Sequence, residues 1–166
     1  MSRSKNIVRT ADLEWREMAH GEKYGFRAKQ LVGKSAAKKI GCSLYEMPPG
    51  RRSFPYHYHC ANEEAIYVLS GAGTIRLAGS EYPLEEGDYV ALPAGEEGAH
   101  QVSNSSDKTL RFLCISTMIE PEIAVYPDSK KFGLFAGGAP GVPKEQLKLF
   151  SFLKKEDQVG YFEGEE

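Results

Sequence analysis

The sequence has few cysteines and no excess of positive charge, and these two shortages exclude several classes of protein. Its three cysteines, Cys42, Cys60 and Cys114, form neither an even disulfide set nor a CxxC zinc pattern. They predict a reducing, cytoplasmic location. The 21 basic residues against 23 acidic ones give a net charge of -2 and a pI near 6.1. That balance argues against a general nucleic-acid binder.

Long hydrophobic runs are also missing. No segment approaches the ~18 consecutive apolar residues that a membrane helix needs. The first ten residues, MSRSKNIVRT, lead into no apolar run of the kind a secretory signal has. We therefore expect neither a membrane nor a nucleic acid as partner. The sequence does have 41% hydrophobic residues in a chain of 166, which is enough for the core of one ordinary domain.

Strand-length segments separated by turn residues follow one another from Phe26 to Thr117. The eight segments are 26–32, 40–47, 53–59, 64–69, 73–78, 89–92, 99–104 and 109–117. Glycine, proline, aspartate and serine lie at the breaks, roughly every eight to twelve residues. The pattern predicts an all-β, antiparallel sandwich or barrel.

The predicted barrel has an extension at each end. We divide the chain into an N-terminal arm (1–25), the barrel (26–117) and a C-terminal extension (118–166) that packs on the barrel or on a partner. Open strand edges need a cover, and the extensions carry large apolar side chains: Trp15, Phe132, Phe135, Phe150 and Phe152. We therefore predict a homodimer, with extensions that wrap their own barrel as the alternative.

The extensions show weaker local patterns than the barrel does. Residues 11–20 are compatible with a helical turn or a short edge strand. Residues 122–126 and 131–135 predict two further strands around a turn. Residues 145–155 predict a short helix that packs Leu147, Phe150 and Leu153.

Three of the four histidines lie in the strand region, and two of them predict a metal site. His57 and His59 are two residues apart, so that on a strand both side chains point to one face. Glu64 starts the next strand, and parity favours it over Glu63, which stays in the turn. His100 begins a further strand. Three nitrogen ligands and one oxygen ligand suit Mn, Fe, Co, Ni, Cu or Zn better than Mg or Ca. The alternative is that these are ordinary hydrogen-bonded histidines that bind no metal.

Two spaced motifs in this region resemble those of the cupin superfamily. The first consists of His57, His59, Glu64 and Gly71. The second consists of Gly87, the Pro93-Ala94-Gly95 turn, His100 and Asn104. Four residues separate Gly95 from His100 where the family has two, but His100 and Asn104 keep their register. The resemblance covers roughly residues 40 to 117.

The resemblance implies a small jelly-roll barrel that holds one divalent transition metal (Zn, Mn, Fe or Ni) through His57, His59, Glu64 and His100. It implies a metal-dependent enzyme acting on a small polar molecule, in the manner of a sugar or sugar-phosphate isomerase. An iron-dependent dioxygenase and a non-catalytic binder of small ligands are the alternatives. We predict Arg52 and Tyr45 as residues that contact the substrate, and the sequence names no general base.

Overall fold

The computed structural model describes residue 4, residues 6–33 and residues 35–165. The predicted N-terminal arm thus includes positions, 1–3 and 5, that lie outside the described residues. Thirteen strands are described, with these bounds: β1 Arg16–His20, β2 Tyr24–Gln30, β3 Ile40–Met47, β4 Tyr58–His59, β5 Glu64–Ser70, β6 Gly73–Leu77, β7 Ser80–Leu84, β8 Tyr89–Leu92, β9 His100–Ser103, β10 Leu110–Thr117, β11 Glu122–Tyr126, β12 Lys131–Ala136 and β13 Leu149–Lys154.

The only helical segments in the described part of the chain are four short 3-10 turns: Thr10–Asp12, Glu96–Gly98, Lys144–Gln146 and Lys155–Asp157. None of the described helices is long and apolar enough to cross a membrane.

The strands form three antiparallel sheets. Their orders are β1-β2-β3-β10-β5-β8, β7-β6-β9 and β13-β12-β11-β4. A buried core joins the first two sheets, because Ile66, Val68 and Phe112 of the large sheet cluster with Ile75 and Val102 of the small one. The predicted all-β, antiparallel barrel is therefore confirmed.

Three of the predicted strands have their predicted bounds, and other predicted segments are shortened. β3, β8 and β11 have the predicted bounds, and the segment 53–59 shrinks to the two residues of β4. The sequence analysis missed β7, since Pro83 interrupts it. That proline is tolerated because β7 lies at the edge of its sheet. Within residues 11–20 the structure has both a 3-10 turn and the edge strand β1.

The predicted helix at 145–155 is wrong. Lys144–Gln146 forms one 3-10 turn, and Leu149–Lys154 is strand β13, paired along its whole length with β12. Phe150 lies opposite Phe135 and their rings are 5.5 Å apart. Pairing with β12 gives the backbone its hydrogen bonds and the aromatic rings a packing surface, which outweighs the local helical pattern.

Two glycines show why the turns of the barrel need this residue. Gly71 and Gly95 have φ angles of 86° and 95°, which side chains of other residues rarely tolerate. A Cβ at position 71 would also lie 2.6 Å from the carbonyl oxygen of Thr109. Both glycines belong to the two motifs named in the sequence analysis, and in each the positive φ gives the residue a structural role.

Candidate metal site

The strand pairing brings the predicted ligands to one place inside the barrel. His59 lies in β4, His57 in the extended segment just before it, and Glu64 and His100 are the first residues of β5 and β9. His57 and His100 form a β-bridge, in which the amide of each donates to the carbonyl oxygen of the other at 3.1 and 2.8 Å. All three imidazoles are buried.

The distances among these side chains are those of ligands around one ion. Ligand atoms of His57, His59 and Glu64 all lie within 4.8 Å of one another. Glu64 Oε2 is 3.5 Å from His59 Nε2 and 3.3 Å from His100 Nε2. Two ligands at about 2.0–2.2 Å from a shared ion are separated by roughly 3.0–3.6 Å. The distances from Glu64 to His59 and to His100 lie in this range, as for two pairs of ligands around one transition metal.

The Nδ1 atoms of the histidines point away from this centre. His57 Nδ1 lies 2.9 Å from the carbonyl oxygen of Pro55, and His100 Nδ1 lies 2.9 Å from that of Gly98. A carbonyl oxygen can only accept, so each Nδ1 carries the hydrogen and each Nε2 offers its lone pair. Metal-binding histidines are held in this way by their outer partners.

His59 faces a carboxylate instead, and the sequence analysis missed that residue. His59 Nδ1 is 3.7 Å from Oε2 of Glu122, whose side chain is fully buried at the start of β11. Pairing of β11 with β4 places Ala124 opposite His59. The sequence does place Glu122, an acidic residue, at the start of an apolar strand segment. That position alone does not predict which histidine the carboxylate faces.

The charges in the cluster shift the pKa values in different directions. Burial, helped by the neighbouring histidines His100 and His59, lowers the pKa of His57 to about 3. Burial also lowers the pKa of His100. Burial acts in the same direction on His59, but the facing carboxylates of Glu122 and Glu64 outweigh it and raise the pKa of His59 to about 9.

The two carboxylates remain ionised. Burial works against their charge, but hydrogen bonding and attraction from His59 hold the pKa of Glu64 at about 2. For Glu122, His59 acts together with hydrogen bonds from Asn62 and Ala61, and its pKa is also about 2. Two anionic groups thus face His59 from opposite sides.

Aromatic side chains and one thiol surround the cluster. Tyr126 stacks on the ring of His57, with 5.6 Å between centroids and an interplanar angle of 17°. Burial and the charge of Glu64 raise the pKa of Tyr126 to about 12. The thiol of Cys114 lies 3.7 Å from Glu64 Oε1. The sequence analysis assigned neither Tyr126 nor Cys114 to the site.

The two residues predicted to contact a substrate lie in different surroundings. The ring of Tyr45 stacks on that of Phe112 in the barrel interior, and burial, with smaller contributions from Cys114 and Glu64, raises its pKa. Arg52 is exposed, and its backbone bonds to Lys23 and Gly25. The structure therefore brings Tyr45 to the cluster's surroundings and leaves Arg52 on the surface.

A surface groove of about 810 Å³ adjoins Tyr126. Tyr56 and Tyr58 line one part of it, and Glu96 and Glu97 another. Three basic residues also line it: Lys130, Lys131 and Lys155. None of these lysines forms an ion pair within the described part of the chain, and Lys131 Nζ lies 5.0 Å from the centre of the Tyr126 ring.

The chain matches one protein family, described as "Cupin domain", over residues 43–116. It is similar to two curated proteins, each 30% identical over the aligned part. One is the "Oxalate-binding protein" of Thermotoga maritima, aligned over 45% of this chain and 59% of that protein. The other is "Auxin-binding protein 1" of Arabidopsis thaliana, aligned over 55% and 48%. The chain thus spans about half the length of these curated relatives.

The fold is similar to that of a solved structure over nearly the whole chain. This structure, named "Putative sugar phosphate isomerase", comes from Acidithiobacillus ferrooxidans and superposes with a TM-score of 0.78 at 25% identity. The alignment covers 94% of this chain and 96% of that one. It therefore extends beyond the cupin domain into both terminal extensions.

Proposed function

We propose that the chain, whose residues 43–116 match the cupin domain, is a metal-dependent enzyme acting on a small polar molecule, with sugar phosphates as the substrate class. The observation that carries the proposal is the convergence of three buried imidazoles and Glu64, whose carboxylate lies 3.5 Å from His59 and 3.3 Å from His100. Similarity to the Acidithiobacillus ferrooxidans protein along the whole chain supports the choice of substrate class.

In this proposal the metal ligands are His57, His59, Glu64 and His100. A divalent metal held there supplies a Lewis acid for a carbonyl or hydroxyl oxygen of the substrate. The carbonyl oxygens of Pro55 and Gly98 keep two of the imidazoles oriented. The Glu64 side chain retains 16% exposure, so the cluster is not sealed from solvent.

The lysine-lined groove supports a substrate that carries a phosphate. Lys130, Lys131 and Lys155 form no ion pair among the described residues, although Glu96 and Glu97 line another part of the groove. Tyr126 lines the groove and stacks on the ring of His57. Tyr45 stays in the proposal as an interior contact, and Arg52 as an outer one.

A non-catalytic binding protein is the second candidate. The two curated relatives are named for binding, one of oxalate and one of auxin. The groups around the cluster are also poor general acids or bases. Glu64 and Glu122 remain ionised beside His59, and burial raises the pKa of Tyr126. Such a protein would hold a small anion at the metal without turning it over.

The test is an activity panel on protein loaded in turn with Mn, Fe, Ni and Zn. We expect isomerisation of a sugar phosphate without dioxygen uptake, lost in His57→Ala and kept in His20→Ala. His20 is a matched control, since it is exposed at the end of β1. Dioxygen uptake only with iron would replace the isomerase with a dioxygenase. Saturable binding without turnover under every metal would favour the binding protein.

We keep the cytoplasmic location as part of the proposal. Cys42, Cys60 and Cys114 are all free thiols, the state that a reducing compartment maintains.

A further inference from the structure

We propose that Glu122 is a positioning residue for the metal site: it keeps the hydrogen of His59 on Nδ1, so that Nε2 stays free to bind the ion. This inference rests on the proposed metal site. It assigns part of that site to the C-terminal extension, since Glu122 lies beyond the matched cupin domain at 43–116.

The carboxylate of Glu122 is fixed by donors on all sides. Its Oε1 accepts hydrogen bonds from the amides of Cys60, Ala61 and Ile123 at 2.9, 3.2 and 2.8 Å. Its Oε2 accepts from the amide of Asn62 at 2.8 Å and from the Asn62 side chain. A buried carboxylate with five such donors is an acceptor only and cannot rotate away.

His59 has no other polar neighbour on that side. Its Nδ1 is the one buried side-chain nitrogen or oxygen without a hydrogen-bond partner among the described residues. Glu122 Oε2 faces it at 3.7 Å, which is longer than an ordinary hydrogen bond. The carboxylate therefore acts on Nδ1 mainly through its charge, and that charge favours a hydrogen on Nδ1.

The position of the hydrogen decides whether His59 can be a ligand. With Nδ1 protonated, the Nε2 lone pair points towards Glu64, the shared centre of the cluster. With the hydrogen on Nε2, that ligand position is blocked. His57 and His100 obtain the same tautomer from carbonyl oxygens of the barrel itself, so His59 alone depends on a residue from the extension.

Two variants distinguish the positioning of His59 by Glu122 from a merely structural role of Glu122 in the loop at residues 60–63. Glu122→Gln keeps the size of the side chain but places an amide NH₂ or a neutral oxygen against Nδ1. Thr117→Val is the matched control. Thr117 accepts from the amide of Glu63 and donates to Asn62 Oδ1, both at 3.0 Å, so its loss weakens the same loop without changing what faces His59.

The experiment measures zinc affinity by competition with a chromophoric chelator, the melting temperature of metal-free protein, and the His59 tautomer by long-range ¹H–¹⁵N NMR. We expect Glu122→Gln to lower zinc affinity about 10- to 100-fold. Thr117→Val should lower the melting temperature and leave the affinity within about threefold. In zinc-loaded wild-type protein, His59 should carry its hydrogen on Nδ1.

Unchanged zinc affinity in a folded Glu122→Gln protein would overturn the inference, as would a hydrogen on Nε2 of His59 in the wild type. If Glu122→Gln does not fold, the wild-type tautomer decides. Failure of the wild type to bind zinc or any other metal would instead count against the proposed function. Without a metal, Glu64 Oε2 faces Nε2 of His59 at 3.5 Å, so the inference falls together with the metal site.

Discussion

At the scale of residues, the two adjacent glutamates at the start of β5 have different surroundings, and only one of them is a candidate metal ligand. Glu64 faces the imidazoles of His59 and His100, whereas Glu63 is exposed in the turn and binds through its backbone amide to Thr117. The alternation of side chains along a strand sets this difference. Glu63 is therefore a matched control for Glu64, because the two residues are adjacent in the chain but only Glu64 faces the imidazoles.

We predict that Glu64→Gln lowers transition-metal affinity by more than about 100-fold, because it removes the negative charge that faces two imidazoles. Glu63→Gln should leave affinity within about twofold, since Glu63 is solvent-exposed. Calorimetric titration with zinc measures both. Equal losses in the two variants would contradict the assignment of Glu64, rather than Glu63, as the carboxylate ligand.

A second prediction concerns the pH dependence of metal binding. His59 must lose its Nε2 proton to bind an ion, and its pKa of about 9 means that it is protonated at pH 7. His57, with a pKa of about 3, is already neutral there. Apparent affinity should therefore rise about tenfold per unit from pH 7 to pH 9 and level off above.

The check is calorimetry at pH 7 in buffers with different ionisation enthalpies, which should report the release of about one proton per metal bound. An ordinary histidine, with a pKa near 6.5, would release much less. Affinity that is flat between pH 7 and pH 9 would contradict the raised pKa of His59.

The residue scale also shows what the sequence could predict of the site. From the sequence, His57, His59 and Glu64 could be brought together by strand parity and hairpin distance, which are local rules, and His100 could be added through the resemblance to the second cupin motif. Glu122 could not, since it is about sixty residues from its donors at 60–62 and meets them only through the pairing of β11 with β4. Contacts of that kind depend on the finished fold.

At the scale of elements, the turn before β9 has little room. Gly98 ends the 3-10 turn Glu96–Gly98, and a Cβ there would lie 1.8 Å from the carbonyl oxygen of Pro93. The carbonyl oxygen of Gly98 also holds His100 Nδ1. Packing at this turn is therefore coupled to the orientation of a candidate ligand.

We predict that Gly98→Ala destabilises the protein by about 1–3 kcal/mol or more, because the backbone must move to admit the methyl group, and that it weakens metal binding through His100. Gly160→Ala is the control, since a Cβ at position 160 meets nothing within 4 Å. Urea unfolding and a zinc titration measure the two effects. A Gly98→Ala protein with wild-type stability and affinity would contradict this account of the turn.

Elements were predictable where their pattern is local and regular, as for β3 and β11. The 145–155 segment shows the limit. Its spacing of Leu147, Phe150 and Leu153 fits a helix, but β12 offers an edge with aromatic side chains, and strand β13 forms on it. Sequence patterns alone carry no information about such an available edge.

At the scale of the whole molecule, the edge of the four-stranded sheet has no covering strand in the described part of the chain. β13 is its last strand, and Leu149, Phe152 and Leu153 on it are 46–47% exposed. Tyr161 and Phe162 beyond it are more exposed still. An exposed apolar edge favours pairing with another chain.

We propose on this basis that the protein is a homodimer, as the sequence analysis predicted. Sedimentation at micromolar concentration should give a species of about 37 kDa, twice the 18.4 kDa chain. Leu153→Glu should shift it towards the monomer by placing a charge on the exposed edge. An 18 kDa species for the wild type would refute the dimer and favour extensions that cover only their own barrel.

The central claim is that one chain holds one transition metal through His57, His59, Glu64 and His100. The most direct measurement is the metal content of chelator-stripped protein after reconstitution with zinc, with Glu63→Gln and His57→Ala prepared in parallel. The account predicts one equivalent of zinc per chain in the wild type and in Glu63→Gln, and almost none in His57→Ala. No bound metal in the wild type, or a full equivalent in His57→Ala, would contradict it.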